Sequence, residues 1–145
     1  MKVLVIHGPN LNFLGKREPE IYGHLTLEDI NDKIREKARE HSFEIEIFQS
    51  NYEGALVEKL QEHYKKSDYL VINPAAFTHY SIAVRDAVLT SGLKTIEVHL
   101  SNVHSREEFR KKSVIADIAV GQICGLGHHG YLLAMDYIKE ANRNV

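Results

Sequence analysis

The apolar positions of the chain switch between two periods. Val3–His7 is a continuous apolar run ending in Gly-Pro, the pattern of a strand buried on both faces. Thr26 is a predicted helix N-cap, followed by Leu27, Ile30, Ile34 and Ala38 at helical spacing. Over Phe43–Phe48 the period falls to two: Phe43, Ile45 and Ile47 oppose Glu44 and Glu46, which predicts an edge strand with one wetter face. Leu56, Val57, Leu60 and Tyr64 stripe a second helix over Glu53–Lys65, and Tyr69–Ile72 is a short strand stopped at Asn73-Pro74. Thr78 reads as the cap of a helix bearing Ile82, Ala83, Ala87 and Val88 and closed by Gly92. Thr95–His99 predicts a fourth strand, Ser105–Lys112 a short charged helical turn, and Ile118–Cys124 a fifth strand. A last helix runs from about His129 to Ala141 with Leu133, Ala134, Tyr137 and Ile138 apolar, and Asn142–Val145 reads as a frayed tail.

Strands and helices alternate throughout, and all strands but the second read as buried. The pattern predicts a flavodoxin-like α/β sandwich of three layers, a five-stranded parallel sheet in the order 2-1-3-4-5 with helices on both faces. No linker or repeat divides residues 1–145, which read as one domain. With 43% hydrophobic and 26% charged residues the composition is that of a soluble globular protein. A net charge of −2 gives no basic footprint for nucleic acid. No apolar run approaches the roughly 20 residues that span a bilayer. The start runs straight into a strand without a cleavable signal, and the single cysteine fits a reducing, cytoplasmic setting.

The stretch Gly8–Gly23, GPNLNFLGKREPEIYG, is longer than an ordinary connection, and loops above about 12–15 residues are usually functional or disordered. It carries Asn10, Asn12, Lys16, Arg17, Glu18 and Tyr22 and reads as an active-site lid. In a sheet of this order, ligands bind beyond the carboxyl ends of the strands, at the switch point between strands 1 and 3. Those ends hold Asn10 and Asn12; Asn73, Thr78 and His79; and Glu97, His99, Ser101 and Asn102, with His104, Arg106 and Arg110 just beyond. Glu97 and His99 share a strand face. A carboxylate beside an imidazole fixes its tautomer and favours a proton donor near neutral pH, although the same spacing serves a surface salt bridge. Arg17 and Tyr22 share the lid; a guanidinium beside a phenol favours the phenolate, a general base, although a tyrosine also serves to pack a loop down. One base, one acid and several hydroxyl-reading groups point to proton abstraction and elimination on a small polar substrate.

Other motifs carry less. Gly125-Leu126-Gly127-His128-His129-Gly130 matches G-x-G-x-x-G, but no strand with an acidic residue follows, so close strand–helix packing or an oligomer contact explains it better than a nucleotide. The histidines lack a recognised zinc spacing, and Cys124 in an apolar strand reads as a buried thiol.

Four ordered segments resemble the type II 3-dehydroquinate dehydratases: GPNLNFLGKREPEIYG, Asn73-Pro74-Ala75-Ala76-Phe77-Thr78-His79, IEVHLSNVHSREEFR from Ile96, and GLGHHGYLLA from Gly125. The resemblance runs from Lys2 to about Lys139. It implies a cofactor-free, metal-free lyase that eliminates water from 3-dehydroquinate in the shikimate pathway, built as a homododecamer of trimers. It implies Tyr22 as base, Arg17 as its stabiliser, Asn10 as positioner of a water against the enolate oxygen, and His99 as acid, oriented by Glu97. Asn73, His79 and Arg110 are implied to read ring hydroxyls. The resemblance further implies that the N–H groups of Leu100 and Ser101, with the Ser101 hydroxyl, hold the carboxylate, and that Asp86 reaches the site from a neighbouring subunit. His7 stands where asparagine is common in that family, and Phe77 at a variable position. The rival reading is a non-catalytic flavodoxin-like ligand-binding module.

Overall fold

A computed structural model describes residues 1–143. Its parallel five-stranded sheet has the order β2-β1-β3-β4-β5, formed by β1 (Lys2–His7), β2 (Glu44–Gln49), β3 (Tyr69–Asn73), β4 (Lys94–His99) and β5 (Gly121–Cys124). The expected strand order therefore holds, with β2 at one edge and β5 at the other. Five helices accompany the strands: a short α1 (Pro19–Tyr22), α2 (Leu27–His41), α3 (Glu53–Glu62), α4 (Ile82–Ser91) and α5 (His129–Ala141).

Alternation along the strands separates two cores. Val3 and Val5 of β1, Tyr69 and Val71 of β3, and Ile96 and Val98 of β4 pack with Ile30 and Ile34 of α2 and Ala134, Met135 and Ile138 of α5. Leu4, Ile6, Leu70 and Ile72 face the other way, onto Leu56 and Leu60 of α3 and Val84, Ala87 and Val88 of α4. Fully burying one such aliphatic side chain contributes roughly 1.5–3 kcal/mol. Thr26 caps α2 as expected, in a reciprocal capping box with Asp29 at 3.0 and 3.1 Å. Gly92 closes α4 with a left-handed φ of 69°.

Several local expectations change. The helix after β3 starts at Ser81, whose hydroxyl accepts from Val84 N–H at 3.0 Å; Thr78 lies in the preceding 3-10 turn, Ala75–His79, with its hydroxyl turned to Glu97. Ile82 and Ala83 are exposed, and the buried face of α4 is Val84, Ala87, Val88 and Ser91. The second long helix ends at Glu62, so Tyr64 is exposed and His63 is buried instead. The run from Ile118 splits into a 3-10 turn, Ala116–Ile118, and a short, partly exposed β5. On α5, Leu133 and Tyr137 are exposed while Tyr131 and Met135 are buried. The charged segment before β5 forms two 3-10 turns, Val103–Ser105 and Glu108–Arg110. Asn142 is held by bonds to Tyr69 Oη and Ile138 O at 3.1 and 2.7 Å, against the expected fraying; Asn144 and Val145 of that tail lie outside the described residues.

Candidate active site

The carboxyl ends of β1, β3 and β4 open into one cavity, and the chain after each strand supplies its wall. Asn10, Leu11, Leu14, Arg17 and Tyr22 come from the long loop, Asn73, Ala75, Ala76 and His79 from the end of β3, and His99, Leu100, Ser101, Val103, Arg106 and Arg110 from the end of β4. Of the site residues implied by sequence, all but Glu97 and Asp86 line this cavity. Glu97 lies directly beneath it. Asp86 sits exposed on α4, away from it.

Close backbone packing shapes the floor. Gly8 N–H donates to Asn73 O at 2.7 Å, and a Cβ on Gly8 would fall 2.4 Å from Pro74 O, so no other residue fits between β1 and β3. Asn10 takes a left-handed φ of 70°, held by its N–H donating to Asn51 Oδ1 at 2.9 Å. Gln49 Nε2 donates to Gly8 O and to Asn51 Oδ1, both at 3.2 Å, and braces that turn. Gln49 and Asn51 are site supports that local sequence reading misses, because their partners lie some 40 residues away.

The half of the site at the end of β4 is buried. Glu97 has no solvent exposure and meets His99 Nε2 through a very short hydrogen bond. Its carboxylate also accepts from Thr78 Oγ1 at 2.7 Å, Ser113 Oγ at 2.7 Å and Gln122 Nε2 at 2.9 Å. Burial pushes the Glu97 carboxyl up, but the His99 hydrogen bond and charge, with the Thr78 and Ser113 hydroxyls, outweigh it and hold the group below its ordinary value. With Nε2 committed to Glu97, Nδ1 is the His99 nitrogen left for the cavity. His79 lies alongside, its ring centroid 6.5 Å from that of His99 and within 19° of parallel. His79 Nδ1 donates to Lys112 O at 2.7 Å, which leaves Nε2 as the ring nitrogen outside that bond.

The long loop after β1 forms the other half. Glu18, with a left-handed φ of 39°, turns the chain into α1, where Pro19 starts the helix and Tyr22 ends it. The Arg17 guanidinium stands 5.0 Å from the centroid of the Tyr22 ring, and Arg106 reaches the same ring at 5.3 Å. Arg106 also donates to Ser101 Oγ at 3.2 Å, which leaves the Ser101 hydroxyl proton free to donate. Sequence placed Arg106 beyond β4 without a role; the second cation beside Tyr22 emerges only in three dimensions. Arg110 is held by Glu107 at 2.5 Å.

The remaining motifs stay outside. A Cβ on Gly130 would lie 3.0 Å from Val98 Cγ1 and 3.4 Å from Ile123 Cγ2, so the last glycine of the G-x-G-x-x-G run serves strand–helix packing as expected. Cys124 is half-buried rather than buried; burial, with the Glu97 charge, pushes its thiol up to about 11, against a nucleophilic role. Among the described residues, one His–carboxylate group of metal-ligand size occurs, Glu46, Glu62 and His63, and the Lys59 ammonium already bridges its two carboxylates at 2.9 and 3.1 Å.

The fold is that of a flavodoxin-like α/β protein whose switch point gathers a tyrosine beside two guanidiniums and an imidazole backed by a buried carboxylate. The family described as dehydroquinase class II matches residues 1–139, and the chain belongs to it. The 3-dehydroquinate dehydratase of Pelotomaculum thermopropionicum is 60% identical over 135 residues, 93% of this chain and 94% of that protein. The 3-dehydroquinate dehydratase of Geotalea daltonii is 57% identical over the same shares. The crystal structure of a type II dehydroquinase from Butyrivibrio crossotus superposes with a TM-score of 0.92 at 51% identity, covering 95% of this chain and 97% of that one. These relatives do not favour the binding-module alternative.

Proposed function

We propose that this chain eliminates water from 3-dehydroquinate to give 3-dehydroshikimate, with Tyr22 as base and His99 as acid. The single observation that carries the reading is their arrangement around one cavity: Tyr22 flanked by two guanidiniums on the lid, His99 backed by a buried carboxylate on β4.

Tyr22, as phenolate, takes a proton from the carbon next to the substrate ketone, and the electron pair moves to the carbonyl oxygen to form an enolate. Arg17, with Arg106 beside the same ring, balances the negative charge on the phenol oxygen before transfer. Asn10 positions a water against the enolate oxygen, a preorganised electrostatic role. When the enolate collapses, the carbon–oxygen bond to the hydroxyl two carbons from the ketone breaks, and His99 protonates the departing oxygen through Nδ1 to release water. Glu97 holds the imidazole in place. Asn73, His79 and Arg110 read ring hydroxyls, and the N–H groups of Leu100 and Ser101 with the Ser101 hydroxyl hold the carboxylate.

Closure of Gly15–Gly23 over the floor Gly8–Asn12 brings Arg17 and Tyr22 in and shuts water out. The exposed position of Asp86 on α4 supports its reaching a neighbouring subunit's site in a dodecamer of trimers. No helix among the described residues is long and apolar enough to cross a membrane, and we place the enzyme in the cytoplasm, in the shikimate pathway. The product is a conjugated enone. Ultraviolet absorbance should rise when protein and 3-dehydroquinate are mixed, and it should survive borohydride treatment in the presence of substrate. Inactivation by borohydride would replace this mechanism with an imine one.

A further inference from the structure

Ser113, on the stretch between the Glu108–Arg110 turn and β5, reaches the Glu97 carboxylate from a segment that the reaction scheme does not use. Its Oγ lies 2.7 Å from Glu97 Oε1 and 3.1 Å from Oε2. The donors on Glu97 are divided unevenly between its two oxygens. His99 Nε2, Thr78 Oγ1 and Gln122 Nε2 converge on Oε2, whereas among the described residues Ser113 alone meets Oε1. Ser113 is itself pinned through both chain neighbours. The Val114 N–H donates to Thr78 O at 2.7 Å, and Lys112 O accepts from His79 Nδ1 at 2.7 Å.

The direction of the Ser113 hydroxyl follows from its other contacts. A hydroxyl has one proton to donate and two lone pairs that accept. The N–H groups of Ile115 and Ala116 donate to Ser113 Oγ at 3.0 and 2.9 Å, which fills both lone pairs. Only the proton remains, and Glu97 and the Thr78 hydroxyl, 2.9 Å away, compete for it. Glu97 wins on two counts. A charged acceptor forms the stronger bond, and Oε1, on a residue with no solvent exposure, would otherwise be left unsatisfied. With the Ser113 lone pairs filled, the Thr78 hydroxyl in turn donates to Glu97 Oε2, the one of its two partners that can accept. Two backbone N–H groups in a turn thus set the direction of both hydroxyls.

We propose that Ser113 is a positioning residue for His99, acting through the plane of the Glu97 carboxylate. The last torsion of a glutamate is broad and roughly two-fold, so bonds to one oxygen leave that plane loosely set. Ser113 on Oε1 opposes the three donors on Oε2 and holds Oε2 where His99 Nε2 meets it. That contact keeps the imidazole with Nδ1 toward the cavity, the orientation that proton transfer to the departing hydroxyl needs. Ser113 lines no part of the cavity, so its loss acts on the chemical step more than on substrate binding.

The inference rests on the reading of His99 as the acid. Ser113→Ala removes the hydroxyl, and in its crystal structure the Glu97 carboxylate should turn about its last torsion and its contact with His99 lengthen. The kcat for 3-dehydroquinate should fall about tenfold with KM changed less than about twofold. Ser113→Thr keeps the hydroxyl and should retain most of the wild-type kcat. In a Glu97→Gln background, Ser113→Ala should lower kcat by less than about twofold, because the charged group it positions is gone. A serine that only props its own turn would cost the same in both backgrounds. Should Ser113→Ala fail to fold, Ser113→Cys, close in size and a weak donor, is read by the same comparisons. An unmoved carboxylate or an unchanged kcat in the folded variant would overturn the proposal. So would a tenfold loss that persists in full in Glu97→Gln. The carboxylate's rotation is read without turnover, so a wild-type protein inactive on 3-dehydroquinate would defeat the functional reading and leave that structural test standing.

Discussion

Glu97 accepts the Nε2–H of His99 from a position with no solvent exposure. The carboxylate accepts from three further donors, Thr78, Ser113 and Gln122, and does not line the cavity, so in the proposed mechanism it acts only through the imidazole. Glu97→Gln removes the charge that supports an imidazolium on His99. It should lower kcat by about 100-fold, within the range for an impaired general acid, while KM changes little. Steady-state kinetics on the folded variant checks this; an unchanged kcat would remove His99 from the role of acid.

Acid should destabilise the protein in two steps whose signs agree. The buried His7 has a pKa of about 4 against an ordinary 6.5, so below 6.5 the unfolded chain takes up a proton that the folded chain refuses. Stability is therefore lost as pH falls from 6.5 to 4, by about 3 kcal/mol across the window. Glu97 is held below its ordinary value, so its contribution is present above the unfolded carboxylate value and is lost as pH falls through the folded one. Urea unfolding across this pH range should show the slope, and His7→Asn should flatten its upper part.

Thr78→Val should cost roughly 1–3 kcal/mol, because an isosteric methyl leaves the buried Glu97 one donor short. Helix α4 should survive intact, since Ser81 caps it; Ser81→Ala should cost about 1 kcal/mol by loss of that cap. Urea midpoints combined with far-ultraviolet circular dichroism separate the two effects.

Thr78 also marks where the sequence stops being legible. Local pattern points to Thr78 as the cap, but its hydroxyl is taken by a carboxylate on β4 that no local pattern reveals, and Ser81, three residues on, caps the helix instead. On α5 the stripes 131, 134, 135, 138 and 133, 134, 137, 138 share two members, so periodicity alone leaves the rotation of the helix open by about one position. The strand order and the cavity walls were readable because the apolar runs and the residues just after them are local features. Gln49, Asn51, Ser113 and Gln122 were not, because each acts through a contact far away in the chain.

Gly8→Ala should disrupt the site more than its small volume implies. The added carbon would sit 2.4 Å from Pro74 O, backbone that cannot rotate away, and the Gly8 N–H to Asn73 O bond that joins β1 to β3 would have to lengthen. Overpacking of this kind typically costs about 1–3 kcal/mol. Here it should also displace both Asn10 and Asn73, so activity should fall further than the melting temperature suggests. Thermal unfolding and kinetics on the same preparation check it.

With Tyr22 as the proposed base, Arg106 should matter to it as much as Arg17 does. The two guanidiniums lie 5.0 and 5.3 Å from the centroid of the Tyr22 ring, but Arg17 shares the long loop with the tyrosine while Arg106 comes from the chain after β4 and also binds Ser101. Arg106→Lys keeps the charge and loses the planar fork, so it should retain part of the activity; Arg106→Ala should lower kcat/KM by about 10- to 100-fold. Because Arg106 anchors the tyrosine to the fixed part of the site, the alanine variant should also leave the lid easier to cleave by protease between Arg17 and Tyr22. Tyr22→Phe supplies the reference: it should lose at least about 1,000-fold in kcat with substrate binding retained, and near-wild-type turnover would remove Tyr22 from the role of base.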